Sequence, residues 1–337
     1  MLQKARITAI GTYVPSKVLS NEDLEKMVDT SDEWIVKRTG ISERRVAEHG
    51  EYTSDLCVAA VKNLMDRYDK TVKDVDLIIV CTSTPDFPFP SVASIIQDKL
   101  NIQVSTGAID LSAACAGFAY GLHTAHSFVA SGLHKKVLVI GADNLTRITD
   151  YTDRSTCVLF GDGAGAVLIE KDEDFSSFIS FNLGTEGAHG MHVYRTGLSN
   201  KLGDVELLNS PYLVQNGRAV MRWVVRNVPK KMEEIIEASG LSIEEIDWFV
   251  PHSANLRLIE PICEKSGFPL EKTLYSLKKF GNTSAATIPL SLDLGIREGK
   301  VKNGDRVLMN GFGSGLVHAG LLIQLQFDPE VNKPDPL

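Results

Sequence analysis

The sequence predicts an α/β protein made of two duplicated halves, and three observations carry that prediction. Short apolar runs that read as buried strands alternate with longer amphipathic stretches that read as helices, the pattern of sheets covered by helices. The strand runs recur. "DLIIVCTST", opening at Asp76, is matched by "DWFVPHSAN" from Asp247, and "KVLVIGADN" from Lys136 by "RVLMNGFGSG" from Arg306. Both pairs are offset by about 170 residues, half the chain, as expected of a duplication. The flanking elements keep the same order. The helical stretches "TSDLCVAAVKNLMDRY" and "RAVMRWVVRNVPKKMEEIIEASG" precede the first strand of each half, with Val220, Val224, Met232 and Ile235 forming an apolar stripe on the second. "SIIQDKL" and "RLIEPICEKSG" follow, and "GAGAVLIE" and "GLVHAGLLIQLQ" close the two halves. The boundary falls near "EKDEDFSSF", giving halves of residues 1–174 and 175–337. Two similar halves commonly hold a ligand at their junction.

Composition narrows the function classes. With 43% hydrophobic and 23% charged residues, the chain should fold around a packed core. No apolar run reaches the roughly 18 residues of a membrane span, so no membrane association is expected. The opening "MLQKARITAIGTYVPS" lacks the features of a signal peptide and reads as a first strand and turn. The cysteines are Cys57, Cys81, Cys115, Cys157 and Cys263, an odd number with no CxxC pair. That argues against a disulfide frame or a structural zinc site, and it points to a reducing cytoplasm. A formal net charge of −8 disfavours nucleic acid as a partner. An acidic protein partner would need a local basic patch.

The chemistry-bearing candidates sit where strands give way to helices. "VSTGAIDLSAAC" runs from a strand into a helix whose apolar positions recur at Phe118, Leu122, Ala125 and Val129, with Gly132 as its stop. Cys115 therefore falls in or just before the first helical turn, where the helix dipole and free N–H groups favour a thiolate and could hold an oxyanion. Ala113, Ala114, Ala116 and Gly117 leave room around it for a substrate. A small buried core hydrophobe is the competing reading, since free cysteine is among the most buried residue types. A nucleophile needs companions, and the second half offers two. His252 lies just past the strand of "WFVPHSANLR", and Asn282 lies in the turn of "KKFGNTSAATIPL". Of the other histidines, His49, His134 and His189 read as loop residues, and His123 and His126 as structural residues on the helix after Cys115. A papain-like Cys-His-Asn protease is not supported, because no "CGSCW" pattern is present. The glycines of "TCVLFGDGAGAVLIEKD" suggest a nucleotide loop, but that fingerprint needs a strand before and a helix after. Apolar runs lie on both sides here, so the segment reads as strand–turn–strand.

Taken together, "DTSDEWIVKRTGI", "DLSAACAGF", "TDRSTCVLFGDGAGAVL", "VPHSANLR", "FGNTSAAT" and "NGFGSGL" resemble the β-ketoacyl-acyl-carrier-protein synthase III family over essentially the whole chain. The resemblance implies the thiolase fold, a five-layered αβαβα arrangement of two duplicated halves, working as a homodimer. It implies a decarboxylative Claisen condensation in which an acyl-CoA acylates Cys115 and malonyl-acyl-carrier protein then supplies the attacking enolate. His252 and Asn282 would donate hydrogen bonds to the enolate oxygen, and the backbone amides of Cys115 and Ser314 would hold the acyl oxyanion. Neither a metal nor a cofactor is implied. By the same resemblance, Trp34 and Arg154 sandwich the CoA adenine, Thr30 lies beside that site, Arg38 lies near the CoA phosphates, and Asn255 flanks the pantetheine tunnel. Arg222, Arg257 and Lys265 would receive acyl carrier protein, and Phe89 would reach across the dimer into the partner's acyl pocket. Three departures stand out. Ser314 replaces a usual glycine, which would restrict the loop. Glu264 stands where a basic residue is expected in the docking patch. Met221 occupies a position resembling a pocket-lining aromatic; methionine is narrower and more adaptable, which implies a roomier pocket for branched or medium-length primers. The alternatives are a synthase of the same fold in secondary metabolism or in 3-hydroxy-3-methylglutaryl-CoA synthesis, a catalytically silent binder of acyl-CoA or carrier protein, and a cysteine hydrolase.

Overall fold

A computed structural model of the protein describes residues 3–332. Its longer elements run in the order β1 (Lys4–Tyr13), α1 (Asp32–Thr39), α2 (Thr53–Tyr68), β2 (Leu77–Cys81), α3 (Val92–Lys99), β3 (Gly107–Leu111), α4 (Gly117–Ala130), β4 (Lys136–Asn144), β5 (Asp162–Asp172), β6 (Phe178–Thr185), α5 (Gly217–Ser239), β7 (Trp248–Pro251), α6 (Leu256–Ser266), α7 (Thr287–Arg297), β8 (Arg306–Gly313) and β9 (Val317–Gln324). They form two principal sheets. The first has the order β1-β5-β4-β2-β3 and the second β6-β9-β8-β7. Matching positions have matching directions. β2 and β4 are parallel, as are β7 and β8, whereas β4–β5 and β8–β9 are antiparallel. The place of β3 is taken in the second sheet by an isolated parallel bridge between Phe249 and Thr273.

The layers follow from which faces are apolar. α2 and α3 cover the outer face of the first sheet, and α5, with α6 packed on it, covers the outer face of the second. α4 and α7 lie between the sheets and touch both, completing the five layers of the thiolase fold. A helix enclosed on all sides cannot carry a polar face. Accordingly α7, "TIPLSLDLGIR", is buried along most of its length. Its Pro289 falls in the first turn, where a missing N–H costs nothing.

The glycine-rich segment departs from the sequence expectation. It is not strand–turn–strand: Gly163 and Gly165 lie within β5 itself, and the preceding residues form turns with a single bridge at Phe160. The glycines serve packing. A Cβ on Gly165 would fall 2.5 Å from Pro289 of α7, and one on Gly161 would fall 2.2 Å from the Phe280 carbonyl.

One buried ionic cluster ties the halves together. Asp293 of α7 accepts from Arg67 of α2 at 2.6 Å, from Arg297 at 2.7 Å and from the Thr12 hydroxyl of β1 at 2.5 Å. Arg67 and Asp293 are both buried, and Arg67 also reaches Glu330. Removing one member of a buried pair strands the other charge, at a cost of about 3–5 kcal/mol. Asp293→Ala should therefore lower unfolding stability by about that amount in urea titrations, while a surface control such as Glu233→Ala stays near wild type.

Candidate active site

The halves meet at a cavity of about 460 Å³ whose walls include Cys115, His252, Asn282, Ser284, Phe312 and Ser314. Cys115 sits in a one-turn 3₁₀ segment, Ala114–Ala116, between β3 and α4. Ala114 is left-handed, with φ 47°, a conformation that costs a non-glycine residue of order 1–3 kcal/mol and that clusters at functional sites. The corresponding turn in the second half, Ser284–Ala286, repeats the feature, with φ 51° at Ser284. The small residues around the cysteine divide into two groups. Ala113 and Ala114 line the cavity, as the reading of room for a substrate requires. Ala116 and Gly117 pack against protein instead: a Cβ on Gly117 would lie 3.0 Å from Cys81, and one on Gly311 would lie 2.8 Å from Ala116.

His252 follows β7, where its N–H donates to the Asn310 carbonyl at 2.8 Å. The ring is 2% exposed, its Nδ1 is 2.8 Å from the Thr287 hydroxyl, and it meets Phe312 edge-on. Burial lowers its pKa to about 3, so the imidazole is neutral at physiological pH. Asn282 is held by its backbone, its N–H donating to Leu159 at 2.8 Å and its carbonyl accepting from Gly161 at 3.0 Å. Its Oδ1 accepts from the Ser284 N–H at 2.9 Å, which leaves Nδ2 as the donor offered to the cavity.

The thiol departs from expectation. Cys115 keeps some surface toward the cavity, but protein surrounds its sulfur closely enough that burial pushes the pKa up to about 12. The Ser284 hydroxyl opposes this rise and the Asp143 carboxylate adds to it. The pull of the helix start toward a thiolate is outweighed by desolvation. Asp143 is itself buried and its pKa is raised by burial. It accepts from the Ser83 N–H at 2.7 Å, from the hydroxyls of Thr82 and Thr84, and from the Ala285 N–H at 3.3 Å. Asp143, Ser284 and Thr287 escaped the sequence reading. The signal for Ser284 lay in the repeat itself, which sets "TSAA" opposite "AACA".

A second groove, of about 350 Å³, shares Asn255, Val220 and Gln215 with the cavity and runs outward past Trp34, Arg38 and Arg257. The Asn255 Oδ1 and the Thr30 hydroxyl are both buried without a partner. Arg154 lies 5.0 Å from the centre of the Trp34 ring and donates to the Asp29 carbonyl at 2.6 Å. Met221 is corrected. It is 39% exposed on the groove wall, and its neighbour Val220 lines the cavity instead, one residue being about 100° of helix rotation. Ser314 lies on the cavity wall, donates through its hydroxyl to the Val193 carbonyl, and is not left-handed; Gly315 takes that role in the loop, with φ 145°. Arg222, Arg257 and Lys265 are exposed, and Arg218, Arg226 and Lys230 extend them at four-residue steps along α5. Phe89 is 84% exposed and does not line the cavity. His123 and His126 pack on Phe181 and Phe178. Among the described residues, no cluster of three metal-ligating side chains occurs, and no helix is long and apolar enough to cross a membrane.

Two family models match the chain. One is described as 3-oxoacyl-[acyl-carrier-protein (ACP)] synthase III, over residues 109–187, and the other as its C-terminal domain, over residues 236–325. The β-ketoacyl-[acyl-carrier-protein] synthase III 2 of Halalkalibacterium halodurans is 62% identical, covering 98% of this chain and 99% of the relative. The protein of the same description from Bacillus subtilis is 54% identical over 96% of this chain and 99% of its own. The crystal structure of the synthase III from Thermus thermophilus superposes with a TM-score of 0.92 at 43% identity, over 95% of this chain and 99% of that one. A priming β-ketosynthase of a polyketide biosynthetic pathway gives 0.90 at 34% identity, over 97% and 98%.

A thiol with so high a pKa makes a clear kinetic prediction. Alkylation of Cys115 by iodoacetamide, followed by intact mass beside a Cys115→Ala control, should accelerate about tenfold per pH unit between pH 7 and 9. A rate already flat at pH 7 would show a resting thiolate.

Proposed function

Because the chain belongs to the 3-oxoacyl-[acyl-carrier-protein] synthase III family, thiolase-fold condensing acyltransferases that initiate fatty acid synthesis, we propose that Cys115, His252 and Asn282 perform its two half-reactions. The observation that carries this reading is that the three side chains, from opposite halves, line one cavity continuous with an outer groove. In the first half-reaction the sulfur of Cys115 attacks the acyl-CoA carbonyl. The carbon–sulfur bond to CoA breaks, and the leaving thiolate takes up the proton that Cys115 gives up. The amides of Cys115 and Ser314 hold the oxyanion. In the second half-reaction the bond to the malonyl carboxylate breaks, and CO₂ leaves. The electron pair left behind forms the enolate, which attacks the acyl-cysteine carbonyl and expels Cys115 as a thiolate, which then takes up a proton from solvent. That pair comes from the broken carbon–carbon bond, so the step requires neither a metal nor a redox cofactor. A neutral His252 and the Nδ2 of Asn282 donate to the enolate oxygen. Such preorganised donors are worth about 10²–10³ in rate each.

The outer groove suits CoA. Trp34 and Arg154, with Thr30 beside them, would flank its adenine end, Arg38 would lie near its phosphates, and the unpartnered Oδ1 of Asn255 suits a pantetheine amide N–H. A third ring needs about 3.5 Å on each face. Arg154, now 5.0 Å from the Trp34 ring, would therefore swing off the Asp29 carbonyl to admit adenine. Arg222, Arg257 and Lys265, with Arg218, Arg226 and Lys230, make a local cationic surface on a chain of net charge −8, suited to an acidic carrier protein. β3 is an outermost strand bearing the exposed Ile109, and Phe87 and Phe89 are exposed as well. An apolar sheet edge of this kind favours pairing with a second copy, and we assign it to a homodimer in which Phe89 closes the partner's pocket. All five cysteines are free, which suits a cytoplasmic setting.

Incubation with mixed acyl-CoAs should add a single acyl group to the native protein and none to Cys115→Ala, and the mass of the adduct names the primer. Absence of any adduct would defeat the reading. With malonyl-acyl-carrier protein supplied, His252→Ala and Asn282→Ala should each slow decarboxylation about 10²–10³-fold. Lys265→Glu, outside both the cavity and the groove, should raise the KM for carrier protein and leave self-acylation by acyl-CoA intact.

A further inference from the structure

The condensation proposed above places a demand on His252 that the ring cannot meet alone. To donate to the enolate oxygen, the neutral imidazole must carry its single proton on Nε2, and Nδ1 must then accept a hydrogen bond. The neighbour of Nδ1 is Thr287, whose hydroxyl oxygen is 2.8 Å away and which is fully buried. That hydroxyl has one proton and two acceptors in reach, Nδ1 and the Ser284 carbonyl at 2.9 Å. The Ser284 carbonyl already accepts the backbone N–H of Thr287, so it loses little if the hydroxyl turns to the ring. Nδ1 has no other hydrogen-bond partner among the described residues. No carboxylate contacts the ring, and the one cause of its lowered pKa is burial. A carboxylate on Nδ1 would favour the imidazolium and the opposite tautomer; a hydroxyl does neither.

We propose that Thr287 is a positioning residue that fixes the tautomer of His252, its hydroxyl donating to Nδ1 so that the ring proton sits on Nε2 toward the cavity. Its own setting is rigid. Threonine is stiff at χ1, and the Thr287 carbonyl accepts from the Ser291 hydroxyl at 2.6 Å. Thr287 also begins α7 directly after the turn Ser284–Ala286. One short segment thus orients both enolate donors, Asn282 through the Ser284 N–H and His252 through the Thr287 hydroxyl.

The test separates the two half-reactions, because only the second uses Nε2–H. Thr287→Val keeps the shape and removes the hydroxyl. It should slow malonyl-acyl-carrier-protein decarboxylation about 10- to 100-fold, while acylation of Cys115 stays within about threefold. Thr287→Ser should restore decarboxylation. Nitrogen-15 NMR of the unaltered, histidine-labelled protein, assigned with His252→Ala, should show His252 protonated on Nε2. This last measurement needs no Thr287 variant to fold. A ring protonated on Nδ1, wild-type decarboxylation in Thr287→Val, or a Thr287→Ser loss equal to that of Thr287→Val would each overturn the proposal. The inference rests on the condensing role. Failure of the wild-type protein to condense would strike that role, whereas the tautomer is read independently of activity.

Discussion

Two tight turns, Ala114–Ala116 from the first half and Ser284–Ala286 from the second, press together at the centre of the molecule, and the spacing there admits little beyond a methyl group. Each turn is backed by a strand of the other half at a glycine. Gly311 of β8 abuts Ala116, and Gly141 of β4 abuts Ala285, where an added Cβ would fall 2.5 Å from the carbonyl oxygen. The contact is nearly symmetric, as a duplication requires. Its asymmetries are where the chemistry lies. At the first turn the strand residue facing the cysteine amide is Gly313, which leaves that N–H open beside the cavity. At the second turn Asp143 stands in the corresponding position, and its carboxylate accepts the Ala285 N–H. One turn keeps an open amide and a thiol. The other is filled in and becomes the frame for Asn282, Ser284 and Thr287.

The same enclosure sets the charge state of the site. Burial disfavours whichever form carries charge, so it raises the thiol of Cys115 and lowers the imidazole of His252. Both are neutral at physiological pH. For a hydrogen-bond donor, neutrality is an advantage, since the ring neither attracts a counterion nor gives up its proton early. For a nucleophile it is a cost, offset here only by the Ser284 hydroxyl and the backbone at the start of the helix.

Much of this was legible in one sequence. Repeated strands at a fixed offset announced two halves, because a buried strand must be apolar wherever it occurs. Cys115, His252 and Asn282 stood out because each lies where a strand or turn hands over to a helix. The glycine-rich segment of β5 misled, since glycines that make room for a neighbouring helix look the same in sequence as glycines that make a turn. Met221 misled because one step along a helix turns a side chain from the cavity to the groove. Thr287 and Asp143 gave no local signal, and a buried threonine or aspartate acquires meaning only from what it faces.

The sequence by itself determined the fold class, the duplication, and the identities of the three groups that meet in the cavity, because strand and helix periodicity and residue chemistry are local properties. Only the tertiary structure decided how those groups are tuned: which amide stays open, which nitrogen finds a hydroxyl, and which charges burial suppresses. Those properties depend on atoms brought into hydrogen-bonding reach from residues far apart in the chain, 35 positions for His252 and Thr287 and 142 for Asp143 and Ala285, and no local pattern encodes that proximity.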